Sequence, residues 1–198
     1  MAAKLDETFP FSSICVYCGS STGEHPGFAK AARELGTLMA KYKISLLFGG
    51  GKVGLMGVIA DAVLQENGTA IGVIPQFLQA KEVGHDGLTE MIVTETMHER
   101  KQILADRSEA FIAMPGGFGT MDELCEILTW AQLGLHAHPI GILNVNGYYD
   151  ELLKMFDGMV ENQFLRQKNR EMLIDHDQPK GLLEKMAAYQ PEQVDKWI

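Results

Sequence analysis

The sequence lacks any apolar run that approaches the ~20 residues a membrane-spanning helix needs. Positive charge is also scarce, since 17 Lys and Arg stand against 26 Asp and Glu for a formal net charge of −9. Such an acidic protein repels nucleic-acid polymers and anionic membrane surfaces. We therefore expect neither as a partner, and any bound phosphate must be held by local backbone dipoles and a few cations.

Cysteine is rare as well, with three residues in 198, which agrees with a reducing compartment. Cys15 and Cys18 form a C-x-x-C, but they lie in an apolar strand pattern, where residues three apart point to opposite faces. A redox motif belongs at a strand-to-helix turn instead. Residues 1–11 carry charges and a proline but no hydrophobic signal core, so we expect a flexible tail there and a cytoplasmic protein with a single domain over residues 12–198.

Short apolar runs alternate with longer amphipathic segments along the chain. Strands are predicted at 13–18, 44–48, 69–74, 91–94, 110–114 and 140–145, with a weak one at 172–174. Helices are predicted at 25–42, 55–66, 97–107, 121–133, 149–162 and 179–189. Continuous apolar strands are buried on both faces, and right-handed crossovers place helices on both sides of the sheet. The pattern predicts an α/β fold, a Rossmann-like three-layer α/β/α arrangement with a mostly parallel sheet.

Glycine-rich loops follow several of these strands, at the sheet edge where parallel sheets bind ligands. Gly116, Gly117 and Gly119 precede a predicted helix, so successive N–H groups can converge on an anion, and Thr120 adds a hydroxyl. The alternative is a tight turn with a capping box, since T-x-x-E spans residues 120–123. The loop at 49–57 repeats the pattern without the ending of a Walker A loop. Two such loops at one edge indicate a nucleotide site.

A second T-x-x-E at 96–99 opens another predicted helix and is followed at once by Arg100 and Lys101. Because both helices start at the same sheet edge, Arg100 and Glu123 can reach one cleft. We expect Glu123 to be kept ionised by the arginine and by the helix N-terminus. A carboxylate there suits an oxocarbenium-like ribose or an attacking water. The alternative is a capped helix with a solvated basic pair.

Two motifs, M-H-x-R-K at 97–101 and P-G-G-x-G-T-x-x-E at 115–123, together resemble the LOG ("Lonely guy") family. The likeness runs from about residue 14 to residue 186 and includes C-G-S-S at 18–21 and T-W-A-Q-L-G at 129–134. The family's members are cytokinin riboside 5′-monophosphate phosphoribohydrolases, long mislabelled as possible lysine decarboxylases. The resemblance implies a homodimer that needs no metal or organic cofactor and cleaves the N-glycosidic bond of adenosine 5′-monophosphate or its N6-prenylated form. A non-hydrolytic nucleotide or molybdenum-cofactor carrier, with the same superfamily fold, is the alternative.

The resemblance assigns catalysis to Arg100 and Glu123. The substrate-binding residues that it implies are Ser20, Gly49, Gly50, Gly51, Glu82, Lys101, Gly116, Gly117, Phe118, Gly119, Thr120, Met121, Asp122 and Thr129. Among them, Glu82 and Thr129 would lie near the base or a dimer-side pocket. Phe118 stands where plant members usually have tyrosine, which bears on the choice of base. His136 and His138 have no third ligand close in sequence, so we interpret them as loop histidines and expect no metal site.

Overall fold

The fold, seen in a computed structural model that describes residues 8–79 and 84–191, is built on one sheet of seven strands. The strands are β1 (Ser13–Tyr17), β2 (Ser45–Phe48), β3 (Ala70–Pro75), β4 (Glu90–Thr94), β5 (Phe111–Ala113), β6 (Ile140–Leu143) and β7 (Leu173–His176). Their order is β4-β3-β2-β1-β5-β6-β7, and every neighbouring pair is parallel. The weakly predicted last strand is therefore present as β7.

Helices connect these strands in the alternation that the sequence predicts. They are α1 (Pro26–Lys41), α2 (Gly54–Gln65), α3 (Gln76–Gln79), α4 (Met97–Asp106), α5 (Phe118–Gln132), α6 (Asp150–Glu161), α7 (Gln167–Arg170) and α8 (Pro179–Ala187). The short helices α3 and α7 were not predicted, because four residues are too few to show a helical period. The Rossmann-like α/β fold class is confirmed, with a sheet that is wholly parallel among the described strands.

Two apolar cores lie on the two faces of the sheet. One holds Leu35 of α1, Ile59 of α2 and Leu182 of α8, and the other holds side chains of α4, α5 and α6. Cys18 belongs to the first core and Cys15 to the second, as the strand period predicts. Both thiols are buried, so this C-x-x-C serves packing.

The strand order creates a crevice beside β1. The chain lays β2, β3 and β4 outward on one side of β1 and then returns to place β5 on the other side. Loops leaving β1 and β5 diverge at such a switch point, which is where open α/β sheets bind ligands. Gly19 N–H donates to Pro115 O at 3.0 Å, and Leu55 N–H donates to Gly19 O at 3.0 Å. The loops that follow β1, β2 and β5 are thus joined at this edge.

The segment before β1 packs against the domain wherever the structure describes it. Phe11 is buried, and Phe9 contacts the ring of Tyr42 edge-on at a centroid distance of 4.7 Å. Both phenylalanines fall within the predicted tail of residues 1–11, whose first seven residues lie outside the described part of the chain. The apolar rings explain the packing, because they gain from leaving water. None of the helices described is long and apolar enough to cross a membrane.

Candidate active site

A cleft of about 260 Å³ opens where β1, β2 and β5 end, and residues from the loops that follow all three strands line it. Its walls are the end of β1, the start of the β2–α2 loop, and the first turns of α4 and α5. The lining residues are Val16, Tyr17, Cys18, Gly19, Ser20, Gly49, Met56, Met97, Arg100, Gly117, Phe118, Gly119, Thr120, Asp122 and Glu123.

Arg100 and Glu123 meet in this cleft. The Nη2 atom of Arg100 lies 3.4 Å from Oε1 of Glu123, and each side chain is 12% exposed. Arg100 Nη1 also lies 3.8 Å from the sulfur of Met97, while its Nε is buried with no hydrogen-bond partner among the described residues. The protein alone therefore satisfies only part of the guanidinium's donor capacity.

Burial raises the pKa of Glu123, whereas the positive charges of Arg100 and Lys101 act in the opposite direction. The helix contributes little, because α5 begins at Phe118 and places Glu123 beyond its first turn. The sequence interpretation, in which its neighbours keep Glu123 ionised, omitted burial, which is the largest effect. A raised pKa brings the carboxyl closer to neutral pH, where it can exchange a proton with a substrate or water.

The first turn of α5 offers an anion site. Its N-cap is Gly117, and no side chain caps it. The N–H groups of Phe118, Gly119 and Thr120 have no acceptor within the helix, since they belong to its first turn. The capping-box interpretation of residues 120–123 is wrong, because Thr120 is inside the helix and buried. By contrast, Thr96 does cap α4, where its hydroxyl accepts from the N–H of Glu99 at 3.1 Å.

The three consecutive glycines after β2 divide into two roles. Gly49 lines the cleft, and a Cβ atom there would overlap the guanidinium of Arg100. Gly50 and Gly51 are buried away from the cleft: Gly50 O accepts from His85 N–H at 3.1 Å, and Gly51 forms a bridge with Gly84. Only Gly49 contacts the space a ligand would fill, and the other two hold the loop against its neighbour.

We expect Gly49→Ala to lower kcat/KM by at least about tenfold, because its methyl group displaces Arg100, and small misplacements of a catalytic group are costly. Steady-state kinetics with a nucleoside monophosphate would measure the change. Gly158→Ala is the control, since a Cβ atom there, in α6, meets nothing within 4 Å. Unchanged kinetics in Gly49→Ala would mean that activity tolerates a displaced Arg100.

Lys101 does not line the cleft, although the resemblance implies that it binds nucleotide. Its Nζ atom lies 2.7 Å from Asp122 Oδ2 and 3.2 Å from Glu126 Oε2, and the side chain is 13% exposed. Burial opposes protonation, but the hydrogen bonds to these carboxylates raise the pKa of Lys101 overall. Lys101 therefore ties α4 to α5 beside the cleft.

Other residues of the implied set divide between cleft and surroundings. Ser20, Phe118 and Asp122 line the cleft with the glycines of the loop. Met121 packs on the apolar core, and Thr129 is exposed, its hydroxyl donating to Cys125 O at 2.7 Å. Gly116 lies just behind the lining, with its carbonyl bonded to a tyrosine. Glu82 falls outside the described residues.

Sequence reasoning missed several residues of the cleft. Tyr17, Met56 and Met97 line it, but Tyr17 was interpreted only as part of a strand. Its position as the last residue of β1, directly before the loop, was the available signal. Tyr148, which bonds the Gly116 carbonyl, was also missed, although it follows the end of β6 at the same sheet edge.

The H-x-H pair lies elsewhere. The rings of His136 and His138 stack at 5.6 Å, and His136 Nε2 lies 2.9 Å from Ile127 O. Burial lowers the pKa of His136. Within residues 8–79 and 84–191, no group of three or more His, Cys, Asp or Glu side chains is arranged to hold a metal ion.

Comparison with known proteins gives matches over most of the chain. Residues 56–186 match a family described as "Possible lysine decarboxylase". The probable cytokinin riboside 5′-monophosphate phosphoribohydrolase LOGL6 of Oryza sativa subsp. japonica is 45% identical over 181 residues, which are 91% of this chain and 72% of that protein. The cytokinin riboside 5′-monophosphate phosphoribohydrolase LOG7 of Arabidopsis thaliana is 42% identical over 182 residues, which are 92% of this chain and 84% of that protein.

Solved structures share the fold. The molybdenum cofactor binding protein of the phototrophic bacterium Rippkaea orientalis superposes with a TM-score of 0.66 at 25% identity, covering 89% of this chain and 95% of that one. The molybdenum cofactor carrier protein of Chlamydomonas reinhardtii gives a TM-score of 0.66 at 21% identity, covering 89% and 98%. At such identity the second likeness concerns the fold alone.

Proposed function

Because the chain belongs to the LOG family, we propose that it hydrolyses the N-glycosidic bond of adenosine 5′-monophosphate or its N6-prenylated form. The products are the free base and ribose 5-phosphate. The observation that carries the proposal is the Arg100–Glu123 pair, 3.4 Å apart in a cleft that also contains the uncapped first turn of α5.

The cleft supplies what the reaction requires. The N–H groups at the start of α5 are suited to the 5′-phosphate, because a helix N-terminus favours anions. As the bond between C1′ and the base nitrogen breaks, its electron pair leaves with the base, and positive charge develops on the ribose. The Glu123 carboxylate can stabilise that charge and orient a water molecule toward C1′. Its raised pKa suits the next step, in which it accepts the water's proton.

Arg100 can contact both Glu123 and the substrate. Its guanidinium can orient the Glu123 carboxylate while its remaining donors contact a phosphate or ribose oxygen. The base takes up a proton from solvent, and Glu123 returns to solvent the proton that it accepted from water. The net result is that the elements of water are divided between ribose and base. Among the described residues no lysine lines the cleft, and Lys101 is bound between two carboxylates. The part of the site that is described thus offers no amine for a decarboxylase Schiff base.

Incubation with adenosine 5′-monophosphate and with isopentenyladenosine 5′-monophosphate tests the proposal. We expect free base and ribose 5-phosphate in equal amounts from at least one of them, as measured by chromatography. The corresponding nucleosides, which lack the phosphate, should react more slowly by about 10²-fold or more, because binding energy from a remote group is needed at the reacting centre. A comparison of kcat/KM for the two nucleotides then identifies the preferred base.

A carrier function is the competing hypothesis, since molybdenum-cofactor proteins have the same fold. A carrier would need the anion site but not a carboxylate and a guanidinium together in the cleft. Binding of either nucleotide without release of base would favour the carrier and contradict the hydrolase.

We also propose that the protein works as a homodimer, as its family resemblance implies, and in the cytoplasm, as its few cysteines indicate. Exposed apolar side chains near the end of α5, Leu133 and Leu135, support self-association, because a second copy would remove them from water. Sedimentation analysis of the purified chain would distinguish one copy from two.

A further inference from the structure

Two adjacent tyrosines hold the loop that leads into α5. Tyr148 Oη donates to Gly116 O at 2.7 Å, and Tyr149 Oη donates to Met114 O at 2.7 Å. Tyr149 is only 2% exposed, whereas Tyr148 is 47% exposed. Neither ring lines the cleft, but Gly117, the residue after the Tyr148 contact, does.

The position of Tyr148 is built into the segment after β6. A 3₁₀ turn at Val145–Gly147 contains Asn146 with a positive φ of 55°. Asn144 ties the segment together: its side chain donates to Asp150 Oδ1 at 2.7 Å and accepts from Tyr149 N–H at 2.7 Å. The Tyr148 ring meets Phe28 edge-on at 5.7 Å. The hydrogen bonds of Asn144 restrain the backbone beside Tyr148, and Phe28 contacts its ring, so the position of the hydroxyl is restricted.

The hydrogen bond fixes the orientation of one peptide plane. In a trans peptide the C=O and the following N–H point in opposite directions. When Tyr148 holds the Gly116 carbonyl, the N–H of Gly117 must point away from Tyr148. Gly117 is the N-cap of α5 and has open space around it, since a Cβ atom there would meet nothing within 4 Å. The peptide that carries this N–H lies directly before the first helical turn.

We propose that Tyr148 is a positioning residue for the phosphate of the substrate. It locks the Gly116–Gly117 peptide with its N–H aimed at the anion bound at the start of α5. The inference rests on the proposed function for the identity of that ligand, a nucleoside 5′-monophosphate. It predicts that the Tyr148 hydroxyl affects affinity for phosphate-bearing ligands and leaves the chemical step alone.

Tyr148→Phe tests this by removing one oxygen and keeping the ring. The KM for the nucleotide should rise about three- to tenfold, as expected for one hydrogen bond, while kcat stays within about twofold. Calorimetry in the Glu123→Gln background, where turnover is suppressed, should show the same loss of affinity for adenosine 5′-monophosphate. Affinity for adenosine should not change, and equal weakening of both ligands would overturn the proposal, as would unchanged affinity for the nucleotide.

Tyr149→Phe is the matched control, with the same chemical change one residue along. Its hydroxyl donates to Met114 O. Met114 does not line the cleft, and the first residue of its loop that does so is Gly117. We expect a lower Tm, because a buried carbonyl loses its partner, and an unchanged ratio of nucleotide to nucleoside affinity. A Tyr149→Phe variant that weakened nucleotide binding as selectively as Tyr148→Phe would overturn the assignment. If the wild-type protein binds nucleotide in a Tyr148-dependent way but releases no base, the hydrolase proposal fails and the positioning role stands.

Discussion

Replacing Glu123 with glutamine should lower kcat for base release by about 10²-fold or more while the protein stays folded. The amide keeps the size of the side chain, but it cannot accept a proton from water. It also carries no negative charge to stabilise the positive charge that develops on ribose. Steady-state kinetics with adenosine 5′-monophosphate would measure the loss, and a thermal melt would check the fold.

Glu126→Gln is the matched control on the same helix. Glu126 lies 3.2 Å from Lys101 and does not line the cleft, so its loss should leave kcat within about twofold of wild type. Near-normal turnover in Glu123→Gln, or an equal loss in both variants, would show that the carboxylate at 123 has only a structural role.

The pH dependence of the wild-type enzyme gives the same variant a second readout. Burial raises the pKa of Glu123, so activity that needs its ionised form should decline, as pH falls, at a higher pH than an ordinary glutamate would give. The free energy of unfolding changes with pH in the opposite direction to activity: the contribution of Glu123 falls as pH rises. A group whose folded-state pKa is raised contributes its full stability below the unfolded pKa and loses it as pH rises through the folded value. Glu123→Gln should therefore have a Tm at or above that of wild type at neutral pH, with a difference that shrinks in acid.

Most of the fold could be predicted from the sequence because its strands are continuous apolar runs. A run such as residues 69–74 must be buried on both faces, and that condition leads to a parallel sheet with helices on either side. Helix starts were less predictable. Thr120 has the sequence of an N-cap, but the buried threonine lies inside α5, which begins at Phe118 after the N-cap Gly117. A Cβ atom at Gly116 would overlap the Thr120 side chain, so the glycine allows the close approach of the two residues. The burial of Thr120 depends on residues distant in the sequence, so the local pattern, which favours an N-cap, could not predict it.

The site could be predicted in position but not in environment. Arg100 and Glu123 were expected to reach one cleft, since both follow strands at the same edge, and they do. The burial that raises the pKa of Glu123 depends on side chains from several elements, which spacing along one helix cannot indicate. The contacts of Lys101 and Tyr148 were inaccessible for the same reason: each joins segments far apart in the sequence.

Arg100→Ala should reduce kcat/KM by at least about 10²-fold, because Glu123 loses the group that orients it and the ligand loses a donor. Arg100→Lys should restore little of this activity. An ammonium group cannot reproduce the planar fork that contacts a carboxylate and an oxygen of the ligand together. Gly49 lies beside the guanidinium and has no side chain, so it cannot contact the thinner lysine side chain and hold it in place. Substantial rescue by lysine would mean that only the charge matters.

Removing Arg100 should also move the titration of Glu123. The positive charge of Arg100 is the largest influence that lowers the pKa of Glu123, so without it burial should raise that pKa further. The acid side of the pH–rate profile of Arg100→Ala should therefore shift to higher pH, which a merely destabilised enzyme would not show. If the two residues act as a unit, the double variant Arg100→Ala/Glu123→Gln should be scarcely slower than the slower single variant. Losses that multiplied would instead mean that the guanidinium and the carboxylate serve separate steps, with Arg100 bound to the phosphate and Glu123 acting alone on the ribose.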